Sequence, residues 1–395
     1  MMKKTEQDRI RTHWRGFIVG VAALTLALPA FAGQREQAKR MHDRLTGVPP
    51  TAAVLDSMEG LMPDAQAAAL LAINPAQNPN AKYFYNVTLK NFATPWTNEA
   101  QDVFAPLNDY TALVIGMIRD DVPFSELFST SLAYEGAASL GLTPVSPSNN
   151  NHYVALEASG ADLGDTTLLV QTSQSIAAGG AAGVFSTRAA ARAFFIDGTN
   201  RSMFRFAMLN HLCRDMEAVN DTTGIPDRIR QDASRSPGGD SRIFMNSCIG
   251  CHIGMDPMTQ AFAYYDFVYP EGNEDAGQLV YTPDQVQPKY LINADNFSSG
   301  YVTPNDNWDN YWRSGPNTSL GWDTARTGSG TGAASMGAEL ANSEAFAQCQ
   351  VTKAYRMVCL GEPGQTNVDA LLAAYGANKN MKQVFASAAT LCTGP

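Results

Sequence analysis

The sequence has 395 residues, of which 45% are hydrophobic and 17% are charged, and its formal net charge at pH 7 is −10. A chain of this length and composition can bury a sizeable core, as one large domain or two intimately packed ones. The excess of acidic residues argues against nucleic acid or anionic lipid as a partner and permits a basic partner protein.

Residues 1–32 have the pattern of a bacterial secretory signal peptide. Five basic residues precede an apolar run, 17–32, that ends in the cleavage-type sequence AFA. The run is shorter than the ~20 residues of a spanning helix, which argues against an uncleaved anchor, and no later stretch could span a bilayer. We therefore expect cleavage near Ala32 and Gly33. The mature chain would carry a net charge of −13 and lie in the periplasm or outside the cell.

The apolar periodicity predicts a mainly α fold, a multi-helix assembly with long irregular loops. Residues 33–135 are predicted to form an N-terminal helical domain, with a helical stretch over 34–71 that is interrupted at 47–50 and a helix over 104–118. Residues 136–182 are rich in Gly, Ser and Asn, and we interpret them as an irregular connection with one hairpin near 166–171.

Three segments follow this connection. Residues 183–272 form a helical segment, in which a helix over 189–219 is broken at 197–198, and they carry the cysteine motif described below. Residues 273–332 are loop-rich and contain three tryptophans. Residues 333–395 are predicted to be a C-terminal helical module with one helix over 336–360 and another over 368–391 that breaks at Gly376.

Residues 246–257 read NSCIGCHIGMDP and contain a CxxCH motif formed by Cys248, Cys251 and His252. Pro257 is expected to end the short helix that carries His252, because its nitrogen cannot donate to that helix. Unpaired thiols tend to be oxidised outside the cytosol, so this pair needs a specific role. A zinc site usually takes two CxxC pairs, and there is no second one. A thioredoxin-like pair needs a βαβ setting, which the flanks lack. The motif behind an export signal therefore predicts one covalent haem c, with two thioethers and His252 as proximal iron ligand.

Several stretches resemble planctomycete-type c cytochromes, a group defined mainly by domains of unknown function. Residues 182–213, followed by the CxxCH motif and Asp256-Pro257, are similar to the haem-bearing domain of that group. RLTGVPPT at 44–51 resembles the start of its N-terminal domain, and 343–361 resembles its C-terminal module. This chain is shorter than the large members, and Thr259 stands where they have glycine. The resemblance implies a helical exported haem protein, with the haem in a cytochrome-c-like helical core, and supplies no reaction.

Other side chains are candidates for contacts with the haem. Arginines and indoles can donate hydrogen bonds to haem propionates, although for each residue taken singly a surface or core role is favoured. The candidates are Arg235, Arg242, Trp308 and Trp312, with Arg313 and Trp322 as further members of the set.

For the sixth iron ligand we expect Met336, which follows a flexible run and precedes the C-terminal helix. The alternatives are His211, His152 and an open or water-bound site. His211 is expected to face away from the apolar stripe of its helix and to pair with Asp215 at the surface. His152 is expected to lie on a mobile loop.

The remaining four cysteines are an even set in an oxidising compartment. Cys349 and Cys359 are ten residues apart on one predicted helix, ~15 Å along its axis, which exceeds the ~7 Å between bridged Cα atoms. We therefore expect the disulfides Cys213–Cys349 and Cys359–Cys392. The alternative is that one pair is free and buried.

Two classes of function follow from these features. The first is electron transfer by a monohaem cytochrome, as a carrier or as a subunit of an envelope redox complex, with a redox protein as donor or acceptor. The alternative is a peroxidase- or oxidase-like haem enzyme with an open sixth iron position. The chain has no second CxxCH, which excludes a di-haem peroxidase on one chain, and no Walker loop, GxSxG or HExxH motif.

Overall fold

The computed structural model describes residues 33–196, 200–290 and 297–393. The expected signal peptide and the helix break expected at 197–198 lie outside these residues. Within them the fold is mainly α-helical, as the sequence predicts.

No helix among the described residues combines the length and the apolar character that crossing a membrane requires.

Three helices open the described chain, and their caps are visible in the sequence. They are α1 Gln34–Thr46, α2 Ala52–Leu61 and α3 Ala65–Ala72. Gly47 ends α1 in the left-handed conformation that glycine adopts without strain. The side chains of Thr51 and Asp64 accept hydrogen bonds from the first turns of α2 and α3. A π-helical turn, Phe84–Leu89, and the short α4, Lys90–Ala93, follow.

Helix α5, Asp109–Arg119, is the central helix of the core. Asn108 caps its start by accepting a hydrogen bond from Thr111 N. The predicted helix over 104–118 begins too early, because Phe104 is 89% exposed and lies in a loop before this cap.

The segment 136–182 is more ordered than its composition predicts. It contains α6, Asn151–Ala158, and β2, Leu169–Ser173. A strand does form near the expected hairpin, but β2 pairs antiparallel with β1, Leu132–Gly136, across a long connection. The expectation of a local hairpin is therefore wrong.

The next segment holds four helices and one two-stranded sheet. These are α7 Arg188–Phe194, α8 Arg201–His211, α9 Ser241–Ile243, α10 Ile249–Thr259, and the antiparallel pair β3 Tyr265–Val268 and β4 Gln278–Tyr281. A second π-helical turn, Phe244–Cys248, joins α9 to α10. The sequence predicts that Pro257 ends the helix carrying His252, whereas α10 continues to Thr259.

The C-terminal part consists of β5 Asn307–Asp309, β6 Ser329–Thr331, α11 Gly332–Ala341, α12 Glu344–Cys359, α13 Gln365–Tyr375 and α14 Met381–Leu391. The break between α13 and α14 falls at Gly376, as the sequence predicts. Helix α14 packs on α1, α3, α12 and α13, so the two ends of the described chain share one apolar core. The domain boundaries expected from the sequence stay a prediction.

Candidate functional site

The CxxCH motif lies where the π-helical turn meets α10. Cys248 is the last residue of the π-helical turn, and Cys251 and His252 lie in the first turn of α10. Side chains three residues apart on a helix are neighbours, so both thiols and the imidazole lie on adjoining parts of one helical surface. Both thiols are half-buried, and the His252 side chain is 19% exposed.

Two glycines let the opposite face of α10 lie close to its neighbours. A Cβ atom on Gly250 would lie 1.7 Å from Asn220 Oδ1, and one on Gly254 would lie 1.9 Å from Trp312 Nε1. At ~100° per residue, His252 lies roughly opposite these glycines. Close packing on the glycine face therefore fixes the direction in which His252 leaves the helix.

The His252 ring is oriented by a carboxylate one turn further along α10. Nδ1 lies 3.2 Å from Oδ1 and 3.1 Å from Oδ2 of Asp256, which is fully buried. In the neutral tautomer that has its proton on Nδ1, Nδ1 donates to the carboxylate and Nε2 keeps its lone pair. An imidazole in this tautomer could bind a metal ion through Nε2.

Asp256 is itself held by two other segments. Arg201, at the start of α8, donates from Nε to Oδ1 at 2.6 Å and from Nη2 to Oδ2 at 2.9 Å, and Arg230 N donates to Oδ2 at 3.1 Å. Arg201 also binds both carboxylate oxygens of Asp232. Burial alone would raise the pKa of Asp256, but Arg201 and His252 hold that pKa well below its usual range.

The state of the thiols argues against a redox-active pair. Burial raises the pKa of the Cys251 thiol, and Cys248 adds to that rise. A thioredoxin-like pair needs a lowered pKa, because the thiolate is the nucleophile. Cys251 Sγ also lies 3.4 Å from the carbonyl oxygen of Met216, an ordinary contact for a thiol.

A small apolar cluster underlies the motif, apart from the main core. Its buried members are Ile229, Ala233, Phe244 and Ile253, with Cys248, Ile249 and Tyr311 packed at its edge. Cys251 packs instead against the main core. Just before the motif, Ile243 and Met245 are 46% and 56% exposed. The motif thus borders apolar surface that a flat hydrophobic group could cover.

The residues expected at the haem propionates lie in different surroundings. The Arg235 guanidinium stacks over Phe244 and Phe297 and donates to the carbonyls of Ala233 and Ile229. Arg242 is exposed and pairs with Asp240.

The two candidate indoles also differ. Trp308 Nε1 donates to Ser335 Oγ at 2.7 Å, so a propionate would have to displace that bond. Trp312 is buried and its Nε1 has no hydrogen-bond partner among the described residues. Arg313 is held by Glu339, and Trp322 Nε1 donates to two backbone carbonyls. Arg235 lies over Phe244 of the small cluster beneath the motif, and the propionate contacts stay a prediction.

The alternative histidine ligands are enclosed in the protein. His152 lies in α6 rather than on a mobile loop; Gly136 N donates to its Nε2 at 2.9 Å, and its Nδ1 donates to Thr143 O at 2.7 Å. The expectation that His211 faces the surface is wrong. It is buried against Trp96 and Phe128, and Tyr110 Oη lies 2.7 Å from its Nε2.

Asp215 pairs with Arg205 instead of His211, because the chain turns after α8 and brings the carboxylate to that guanidinium. Burial, and to a smaller degree Lys353, lowers the pKa of His211 well below its usual value.

Met336 lies in α11 and is fully buried in the main core. Helix α11 packs chiefly on the turns Gln260–Phe262 and Phe124–Glu126 and on β5 and β6. Its role as sixth iron ligand stays a prediction.

The other four cysteines form two disulfides in the pairing expected from the sequence. Cys213 joins Cys349 with a Cα–Cα distance of 5.4 Å, and Cys359 joins Cys392 with a distance of 5.7 Å. Cys248 and Cys251 are therefore the free thiols of the described chain.

A cavity of about 330 Å³ lies elsewhere in the molecule, between the β1–β2 pair and the start of α7. Asp109, Glu135 and Arg188 supply its charged groups, and no residue of the CxxCH motif lines it. The cavity therefore adds nothing to the chemistry of the motif.

The residues present at the motif fit a covalently bound haem. The donor set is two unpaired thiols one helical turn apart and an imidazole whose Nδ1 is tied to a carboxylate while Nε2 makes no hydrogen bond within the described chain. Asp256, Arg201 and Asp232 are not among the site residues expected from the sequence. The spacing of four residues between His252 and Asp256 on one helix could have indicated their contact.

Among the described residues, no group of three or more His, Cys, Asp and Glu side chains is placed to hold a metal ion by itself.

Comparisons with models of protein families, with curated proteins and with solved structures find no match to this chain.

Proposed function

We propose that this chain is an exported monohaem c-type cytochrome that transfers electrons through one covalent haem c, as a carrier or as a subunit of an envelope redox complex. The observation that carries the proposal is the arrangement of His252, with Nδ1 bound to Asp256 and Nε2 free, beside the two cysteines left out of the disulfides. The haem would supply one-electron redox chemistry, with its potential set by the axial ligands and their surroundings. The planctomycete-type cytochromes that the motifs resemble are the proposed relatives.

The chain itself would hold and orient the group. Cys248 and Cys251 would provide the thioethers, Asp256 holds the imidazole proton at Nδ1, and the small apolar cluster would support one edge of the ring. The net charge of −13 expected after signal cleavage favours a redox partner with a basic contact surface.

The test is expression of the full-length chain in a bacterium that has the c-type haem attachment machinery. We expect haem staining on a denaturing gel, a mass increment of one haem, and no haem release by acid and acetone. Replacing both cysteines, Cys248→Ala with Cys251→Ala, should abolish covalent haem completely. The matched control, Cys359→Ala with Cys392→Ala, removes a disulfide and should retain the haem. Haem that acid–acetone extracts from the wild type would refute the proposal.

A specific observation favours the enzyme alternative, a haem with an open sixth position. The three other histidines of the described chain, His42, His152 and His211, are all buried and hydrogen-bonded. Only a methionine, water or an added ligand would then complete the coordination of the iron.

Absorbance spectra with and without carbon monoxide separate the two functions. Ligation by Met336 should give the weak long-wavelength sulfur-to-iron band in the ferric protein, and Met336→Ala should abolish it. Rapid carbon monoxide binding to the reduced wild type, without that band, would favour the enzyme.

A further inference from the structure

The contact between His252 and Asp256 is closer and more buried than an ordinary contact between exposed side chains four residues apart on a helix. Both Asp256 oxygens lie within hydrogen-bond distance of Nδ1, at 3.2 and 3.1 Å, and the carboxylate is completely shielded from solvent. A hydrogen bond from an imidazole to a carboxylate is charge-assisted and stronger than one to a neutral carbonyl.

The carboxylate is fixed in place from three directions. Arg201 binds both oxygens in a fork from α8, the backbone amide of Arg230 donates from a loop, and His252 donates from α10. Asp232 in turn binds Arg201 through both of its oxygens and is itself buried. Asp256 therefore has little freedom to rotate away from His252.

We propose that Asp256 is a positioning residue that fixes the ring of His252 and strengthens its Nε2 as an iron donor, so that the bound iron is held toward its ferric state. The inference rests on the proposed function. When Nδ1–H is donated to a carboxylate, more electron density lies on Nε2 and the ligand becomes more basic. A more basic axial ligand stabilises Fe(III) over Fe(II), which lowers the reduction potential.

A purely structural role for Asp256 makes a different prediction. If the carboxylate only completes the ion pair with Arg201, its removal weakens the fold. The reduction potential of the iron and the strength of its bond to His252 then stay unchanged. Asp232 provides the comparison, because it also binds this guanidinium through both of its oxygens, at Nη1 and Nη2, and makes no contact with His252 among the described hydrogen bonds.

The experiment compares Asp256→Asn with Asp232→Asn in the full-length, haem-loaded protein. Asp256→Asn should shift the midpoint potential upward and lower the iron–histidine stretching frequency in the resonance Raman spectrum of the reduced protein. Asp232→Asn should leave the stretching frequency at its wild-type value and shift the potential less, because it removes the same charge but no hydrogen bond to Nδ1, although both variants lose stability. Covalent haem content should be equal in all three proteins.

Asp256→Glu and Asp232→Glu form a second matched pair if the Asn variants do not fold. The added methylene moves the carboxylate from Nδ1 in the first variant only, so only that variant should change potential and stretching frequency. Unchanged values in a folded Asp256 variant, or equal changes at both positions, would overturn the inference. A wild type without covalent haem would overturn this inference together with the proposed function, whereas haem that does not respond to Asp256 overturns this inference alone.

Discussion

The histidines of the described chain divide according to what their ring nitrogens bind. His42 and His152 use both nitrogens in hydrogen bonds to groups nearby in the fold. His211 binds Tyr110 inside an aromatic enclosure. His252 alone combines an anchored Nδ1 with partial exposure. This division makes His252 the candidate ligand among the described histidines without any reference to the cysteines.

Lys353 is the buried charge whose effect on stability is simplest to measure. Its ammonium donates to Asn210 O and lies 4.9 Å from the ring centre of Trp96. Burial, helped by Arg356, lowers its pKa from 10.5 to about 7. The folded protein therefore binds fewer protons than the unfolded chain between these two values. Below about pH 7 the full cost of burying the charge is present, and it fades as pH rises toward 10.5.

We expect Lys353→Met to raise the free energy of unfolding at pH 6 and to have progressively less effect up to pH 10. The slope of the difference is at most about 1.4 kcal/mol per pH unit. Urea unfolding at several pH values measures it, with Lys39→Met on an exposed lysine as control. An effect of Lys353→Met that does not vary with pH would contradict the lowered pKa.

At the scale of single residues, the sequence predicted the motif itself better than the side chains that surround it. The CxxCH motif could be recognised because its chemistry lies in adjacent residues. Arg201 and Asp232 could not, since 55 and 24 residues separate them from Asp256; the packing of α8 on α10 brings Arg201 to Asp256, and Asp232 binds Arg201 from a loop. His211 was misplaced for the same reason: its partners Trp96 and Tyr110 lie about a hundred residues earlier.

At the scale of elements, the site depends on how closely α10 approaches its neighbours. Gly250 and Gly254 share one face of the helix and meet Asn220 and Trp312 at distances that leave no room for a side chain. The helix packs on Tyr311–Arg313, on Pro226–Arg228 and on α8, so its position is set on several sides.

Gly254→Ala should therefore destabilise the protein, because its methyl group would overlap the Trp312 indole. Overpacking of this kind costs about 1–3 kcal/mol. Gly60→Ala in α2 is the matched control, since a Cβ there meets nothing within 4 Å. Replacing a helical glycine at such an open site should stabilise by about 0.4–1 kcal/mol. Thermal unfolding measures both, and a Gly254→Ala protein as stable as Gly60→Ala would contradict the close packing.

The predicted elements were most accurate where local signals agree. The break at Gly376 and the turn at 47–50 follow from glycine and proline, and each is where the sequence places it. The β1–β2 pair was missed because its strands are separated by α6, and strand pairing over such a distance leaves no local pattern. Helix α10 continues past Pro257, although proline usually ends a helix because its nitrogen cannot donate a hydrogen bond.

At the scale of the whole molecule, helices from the two ends of the described chain pack together, α14 on α1 and α3. Phe385 of α14 packs edge-on against Phe84 and Phe92, with ring centres 5.3 and 5.1 Å away. Arg44 of α1 donates to the carbonyls of Val358 and Cys359 at the end of α12. Loss of packing at one end should therefore loosen the other.

Phe385→Ala should lower the free energy of unfolding by about 3–5 kcal/mol, the usual cost of removing a buried phenyl ring. Hydrogen exchange should accelerate in α1, α3 and the Phe84–Leu89 turn as well as in α14. Phe104→Ala, at a side chain that is 89% exposed, should change neither quantity appreciably. Faster exchange confined to α14 would show that the two ends are independent.

The distribution of the six cysteines along the chain has a consequence for the order in which they pair as the chain is made. Cys213, Cys248 and Cys251 emerge before Cys349, the partner that Cys213 has in the folded protein. Closing the loop from Cys213 to Cys248 spans 35 residues, against 136 for the native bridge, so the wrong pair forms with the smaller entropic cost. The proposed haem attachment would remove that competitor if it took up Cys248 and Cys251 before the C-terminal helices are made. Early modification of the motif would thus favour correct pairing of the other four cysteines.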